Sequence, residues 1–209
     1  MVFSALIYSQ NLISDEIKSR IAASNRCFSI VQDKYLGLVI SKAVKIKIHA
    51  TMVKTAVVFG SETWAMAERD VTRLGTWERK VLRTVHGTVG DQGLWRIRIN
   101  KVLREIYKDL DIVADIKQKR LEWTGHVVRM DQGRTVKKIF ESKPEGRRRK
   151  GRPRLRWLND VGKDLREMKV KGWRHKAVDR EEWASVIKEA KVVRGTKGPG
   201  VLKNKWMSC

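Results

Sequence analysis

The spacing of apolar residues leaves this chain one main option. Val71, Leu74, Trp77, Val81 and Val85 recur every three or four positions, the period that gathers side chains on one face of an α-helix. The same period returns in Ile17, Ile21, Ala22 and Phe28, in Ile48, Met52, Val53 and Ala56, and in Ile116, Trp123 and Val127. It returns again in Leu158, Val161, Leu165 and Met168, and in Trp183, Val186, Ile187, Ala190 and Val193. Strand character is confined to the first eight residues. The expected class is mostly α.

Punctuation places the helix ends. Ser14 followed by Asp15 and Glu16 reads as a cap with anions at the positive end of the dipole. A second helix starts near Ser41 and breaks at Phe59-Gly60-Ser61; a third runs from Ala67 to Val85 and stops at Gly87. A short helix is expected over 97–107 and another helix over 112–130, and Asp179 with Glu182 forms a capping box for the last. Between residues 131 and 153, Gly133, Pro144, Gly146, Gly151 and Pro153 interrupt every period. The reading is therefore a helical region over 1–130, a basic Gly/Pro linker over 131–153, a two-helix module over 154–193 and a tail over 194–209. Truncating the buried anchor Trp183 should destabilise that module, whose two seams are expected to meet.

Charge points to a partner. Lys and Arg number 46 against 23 Asp and Glu, a net charge of +23. Residues 134–156 hold 11 basic and 2 acidic side chains, so the excess is concentrated rather than spread. Its core is Arg147, Arg148, Arg149, Lys150, Arg152, Arg154 and Arg156. Clustered cations gain by releasing counterions from a phosphate backbone, so RNA or DNA is the expected partner, bound without base readout. Three alternatives stay open for the run. Lys150-Gly151-Arg152-Pro153-Arg154 resembles an AT-hook that would enter a narrow minor groove; the run also suits a nuclear-localisation signal, or a solvated linker. With no signal peptide evident an intracellular site is expected, and the run favours the nucleus over the cytoplasm. No apolar run reaches membrane-spanning length. Trp77, Trp123 and Trp183 read as core residues, while Trp157 divides evenly between packing and base stacking.

Catalytic groups are not evident. A polymerase or nuclease needs carboxylates gathered around metal ions, and the spaced Asp109 and Asp111 look like a helix end instead. His49, His86, His126 and His175 lie far apart and read as surface or helix-end residues; no cysteines stand at zinc spacing. Cys27 reads as a core thiol. No enzyme activity, metal or cofactor is expected.

Five motifs in order carry a family resemblance: the stretch from Ile13 to Cys27, Phe59-Gly60-Ser61-Glu62-Thr63-Trp64, Trp77-Glu78-Arg79-Lys80-Val81-Leu82-Arg83, Gly125-His126-Val127-Val128-Arg129-Met130, and Gly151-Arg152-Pro153-Arg154-Leu155-Arg156-Trp157. Together they resemble the region after the palm in insect LINE-type (non-LTR) retrotransposon endonuclease/reverse transcriptases. The resemblance implies a helical thumb that grips a template–primer duplex, then a post-thumb segment. The family's paired palm aspartates have no match here, nor has its endonuclease. The resemblance thus implies a nucleic-acid-binding fragment. The alternative is a non-functional retroelement remnant, or an interaction module whose exposed apolar helix faces a protein partner would cover.

Overall fold

The computed structural model describes residues 13–31, 41–91, 94–107, 111–142 and 156–196. Within them the chain is mostly helical, as its periods require. The opening segment expected as strand lies outside these residues.

Helix α1 spans Ile13–Val31 and buries Ile17 completely, with Ile21 and Phe28 packed beside it. Ala22, expected on the same face, is exposed, and Cys27 is a half-buried free thiol rather than a core one. Ser14 lies inside the first turn and does another job than capping. Its hydroxyl donates to Asp70 at 2.8 Å and so ties α1 to the start of the helix at Glu68.

Helix α2, Lys42–Ile48, is capped by Ser41, whose hydroxyl accepts from the Val44 amide. It runs into a π-helical turn at His49–Val53 and continues as α3, Lys54–Val58. A π turn adds a residue to the helical repeat and rotates the buried face. That rotation overturns part of the expected stripe: Met52 is 49% exposed, while Val53, Val57 and Val58 are buried. It also carries His49 inward: the residue closes α2, as a helix-end histidine was expected to, but is buried. Ser24 of α1 donates to the Val53 carbonyl at 2.6 Å and pins the bulge. Gly60, at φ +73°, reverses the chain where the break was expected.

Helix α4, Glu68–His86, presents Leu74, Trp77, Val81 and Val85 to this first core, with Val71 half-buried beside them, and ends at Gly87, φ +70°. A two-stranded antiparallel hairpin follows, β1 (Val89–Asp91) and β2 (Leu94–Arg96), with Gly90 opposite Trp95. The helix expected from residue 97 begins at Asn100 instead, as α5, Asn100–Tyr107.

Helix α6, Ile112–Val128, is capped by Asp111, which accepts from the Ala114 amide at 2.7 Å. Its first amide meets the buried Glu78 carboxylate at 3.0 Å. Ile112 and Ile116 complete the first core; Leu121 belongs to a second, with Val161, Leu165, Met168, Ala177, Trp183, Val186 and Ala190. The stretch expected to be irregular from 131 holds a helix, α7, Thr135–Glu141. Lys137 is buried there, its ammonium donating to the Val128 carbonyl at 2.7 Å. Helices α8 (Trp157–Glu167), α9 (Trp173–Lys176) and α10 (Arg180–Thr196) finish the chain. Asp179 accepts from the Glu181 and Glu182 amides, the capping half of the expected box. The two C-terminal seams do share a core, but each helix packs mainly on α6. Gly125 explains why: it leaves room on α6 for the indole of Trp183, which donates to the Leu121 carbonyl at 3.0 Å.

Candidate nucleic-acid interface

Arg156 is exposed at the N-cap of α8. The other six cations of the run, Arg147, Arg148, Arg149, Lys150, Arg152 and Arg154, lie outside the described residues. What the structure does define is where their segment is anchored. The described chain stops at Ser142, just past α7, and resumes at Arg156. Phe140 on α7 and Trp157 on α8 meet edge to face, their rings 6.0 Å apart. The Trp157 indole donates to the Glu62 carbonyl at 2.7 Å. Both ends of the basic segment are therefore held at one place.

A further cation stands at this anchor. The Arg174 guanidinium lies 5.9 Å from the Phe140 ring and 5.2 Å from the Trp173 ring. Trp173 in turn lies 6.5 Å from Trp183 in the second core. Phe140 and Arg174 were not singled out in the sequence. The signal for Phe140 was its isolation: an aromatic among lysines just before the prolines. Trp157, evenly divided between packing and stacking, packs.

Beneath the anchor, a buried ionic cluster fixes α8. Arg120, 1% exposed, donates to the Trp64 carbonyl at 3.3 Å, to Asp160 at 3.2 Å and to Asp164. Asp160 also accepts from the Met66 amide at 3.1 Å, and Lys117 reaches Asp164 at 2.9 Å. Burial works to raise the Asp164 pKa, but Arg120 and Lys117 outweigh it and hold the carboxyl below its usual value. These carboxylates are thus occupied as structural partners.

The other candidate residues take varied places. Trp77 is buried and donates to Asn25 at 2.8 Å. Trp123, expected inward, is only half-buried. It lines an open groove of about 390 Å³ with Glu62, Lys119, Glu122 and His126. His86 closes α4 as expected but is buried; His126 and His175 are exposed. Among the described residues no three His, Cys, Asp or Glu side chains converge as metal ligands. No helix among them is long and apolar enough to cross a membrane.

The resemblance motifs acquire concrete roles. Trp64 supplies a carbonyl to Arg120, Glu78 receives the first amide of α6, Gly125 seats Trp183, and Trp157 binds Glu62. An uncharacterised transposon-derived protein of Caenorhabditis elegans is 28% identical over 157 residues, 70% of this chain and 55% of that protein. The likeness supports a transposon-related origin. The chain spans about half the length of this curated relative. No family model matches the chain, and no solved structure matches it.

Proposed function

We propose that this chain is a nucleic-acid-binding segment resembling the thumb and post-thumb part of a LINE-type reverse transcriptase. It grips RNA or DNA through the phosphate backbone and does not itself catalyse. The observation that carries the reading is the basic segment with both ends anchored, Phe140 against Trp157. A segment held at both ends keeps its cations within reach of one backbone, and each phosphate neutralised releases counterions. Arg156 and Arg174 add charge at the anchor.

A salt titration tests this. Replacing Arg147, Arg148 and Arg149 together by Ala makes the slope of log affinity against log salt shallower by up to about 3 units. Duplexes of all compositions weaken alike, because phosphate contacts position without specifying. An AT-hook would differ: changing Arg152 alone would erase a preference for A·T-rich duplex. If the triple variant keeps the parent slope and affinity, the localisation-signal reading replaces this one. The same proposal expects no primer extension or cleavage with Mg²⁺ or Mn²⁺; extension abolished by changing one Asp overturns it. The remnant reading draws on the transposon-derived relative, and an aggregating or unfolded purified chain would favour it.

A further inference from the structure

The β1–β2 hairpin carries a surface that the anchored basic segment does not account for. Leu94, Trp95, Ile97 and Ile99 stand exposed in close succession, Trp95 at 76%. An indole left this bare beside three exposed aliphatic side chains offers a surface for a partner. Charge says which. From Val89 to Arg104 the chain holds four cations, Arg96, Arg98, Lys101 and Arg104, against one carboxylate, Asp91. A purely apolar partner has no use for that excess, whereas a polyanion does.

The hairpin is also held ready. Trp95 pairs with Gly90, and a Cβ at Gly90 would come within 3.4 Å of the indole. The ring thus lies close against the opposite strand and keeps its remaining surface open. Arg98 donates from Nε to the Gly87 carbonyl at 3.1 Å. Arg83 on α4 donates to the Arg98 carbonyl at 3.2 Å and to the Asn100 side chain at 2.6 Å. These bonds fix the segment after β2 to the end of α4, so little ordering remains when a ligand arrives.

We propose that the hairpin is a second nucleic-acid contact, in which Trp95 stacks on an unpaired base while Arg96 and Arg98 meet the adjoining phosphates. Stacking on an indole suits every base, so the contact recognises single-strandedness and not sequence. The inference rests on the reading of the chain as a nucleic-acid binder but assigns a different ligand, an unpaired strand, to a different element.

The test compares the full chain with its Trp95→Ala and Trp95→Phe variants, on a short oligothymidylate and on a duplex at one salt concentration. Trp95→Ala weakens oligothymidylate binding by roughly 5- to 150-fold, Trp95→Phe much less, and duplex binding is unchanged for both. Far-UV circular dichroism confirms that the exposed substitution leaves the fold intact. Oligothymidylate affinity equal to that of the parent chain overturns the inference. So does an effect confined to self-association in sedimentation, which would make the hairpin a contact for a second copy. The Arg147, Arg148, Arg149 triple variant separates the two proposals. If duplex binding ignores the triple substitution but oligothymidylate binding falls with Trp95→Ala, the basic-segment reading fails and the hairpin stands.

Discussion

Gly125 faces the indole of Trp183 across the α6–α10 contact, and a Cβ there would overlap that ring. In an open helix, replacing glycine by alanine stabilises by about 1 kcal/mol. Here the added methyl meets a side chain 2% exposed and tethered to the Leu121 carbonyl. The indole cannot withdraw without giving up that bond and its packing. The collision therefore outweighs the propensity, and Gly125→Ala destabilises by about 1–3 kcal/mol. Urea denaturation measures it; a variant as stable as the parent would mean the indole has somewhere else to go. Arg120 illustrates the same scale. Its neighbours leave no solvent to share its charge, so each bond to Asp160 and Asp164 offsets desolvation rather than adding net stability.

Helix α4 ends on a histidine whose surroundings oppose each other. The negative end of the dipole favours an imidazolium at His86. Burial disfavours it more, and Arg98 and Lys42 add repulsion, so its pKa lies below the usual histidine value of 6.5. The unfolded chain then binds the proton before the folded one does. Stability is full above the unfolded pKa and is lost as pH falls from about 6.5 toward the depressed folded value. Arg98 lies in the segment after β2 and is bonded to Gly87, so this end of α4 and that segment weaken together. A His86→Gln variant should lack that component: its stability falls less than the parent's between neutral pH and mildly acid pH in thermal melts. Parallel slopes for the two proteins would remove His86 as the cause.

Across the whole molecule, α6 is the shared member. Ile112 and Ile116 lie in one core and Leu121 in the other, with α8 and α10 packed on the same helix. A helix that loses one core exposes apolar residues wanted by the second, so the two should unfold together. Trp183→Ala, which empties a site in the second core, should cost about 3–5 kcal/mol. It should also shift the transition of the first core, seen through Trp77 and Trp64, by the same amount. Fluorescence and far-UV circular dichroism would then report one coincident transition. Two separated transitions would show that the cores are independent.

The sequence by itself determined the helical class, the helix start near Ser41, the cap at Asp179, the break at Gly60 and the end of α4. Each depends on neighbours within a few positions: an apolar period, a side-chain oxygen, a residue tolerant of positive φ. It also determined the charge excess and its concentration over 134–156. Tertiary structure decided the rest. The π turn at His49–Val53 turned Met52 out and His49 in, a rotation no period announces. Helix α7 lies inside a stretch of linker composition and is tied to the fold by Lys137 on the Val128 carbonyl and Phe140 against Trp157. The hairpin stayed hidden because three-residue strands carry almost no pattern; its register, with Gly90 opposite Trp95, is a through-space relation. The anchor of the basic segment joins Glu62, Phe140, Trp157 and Arg174, distant in the chain. Only packing brings such residues together, because the forces that join them act through space and leave no mark on local spacing.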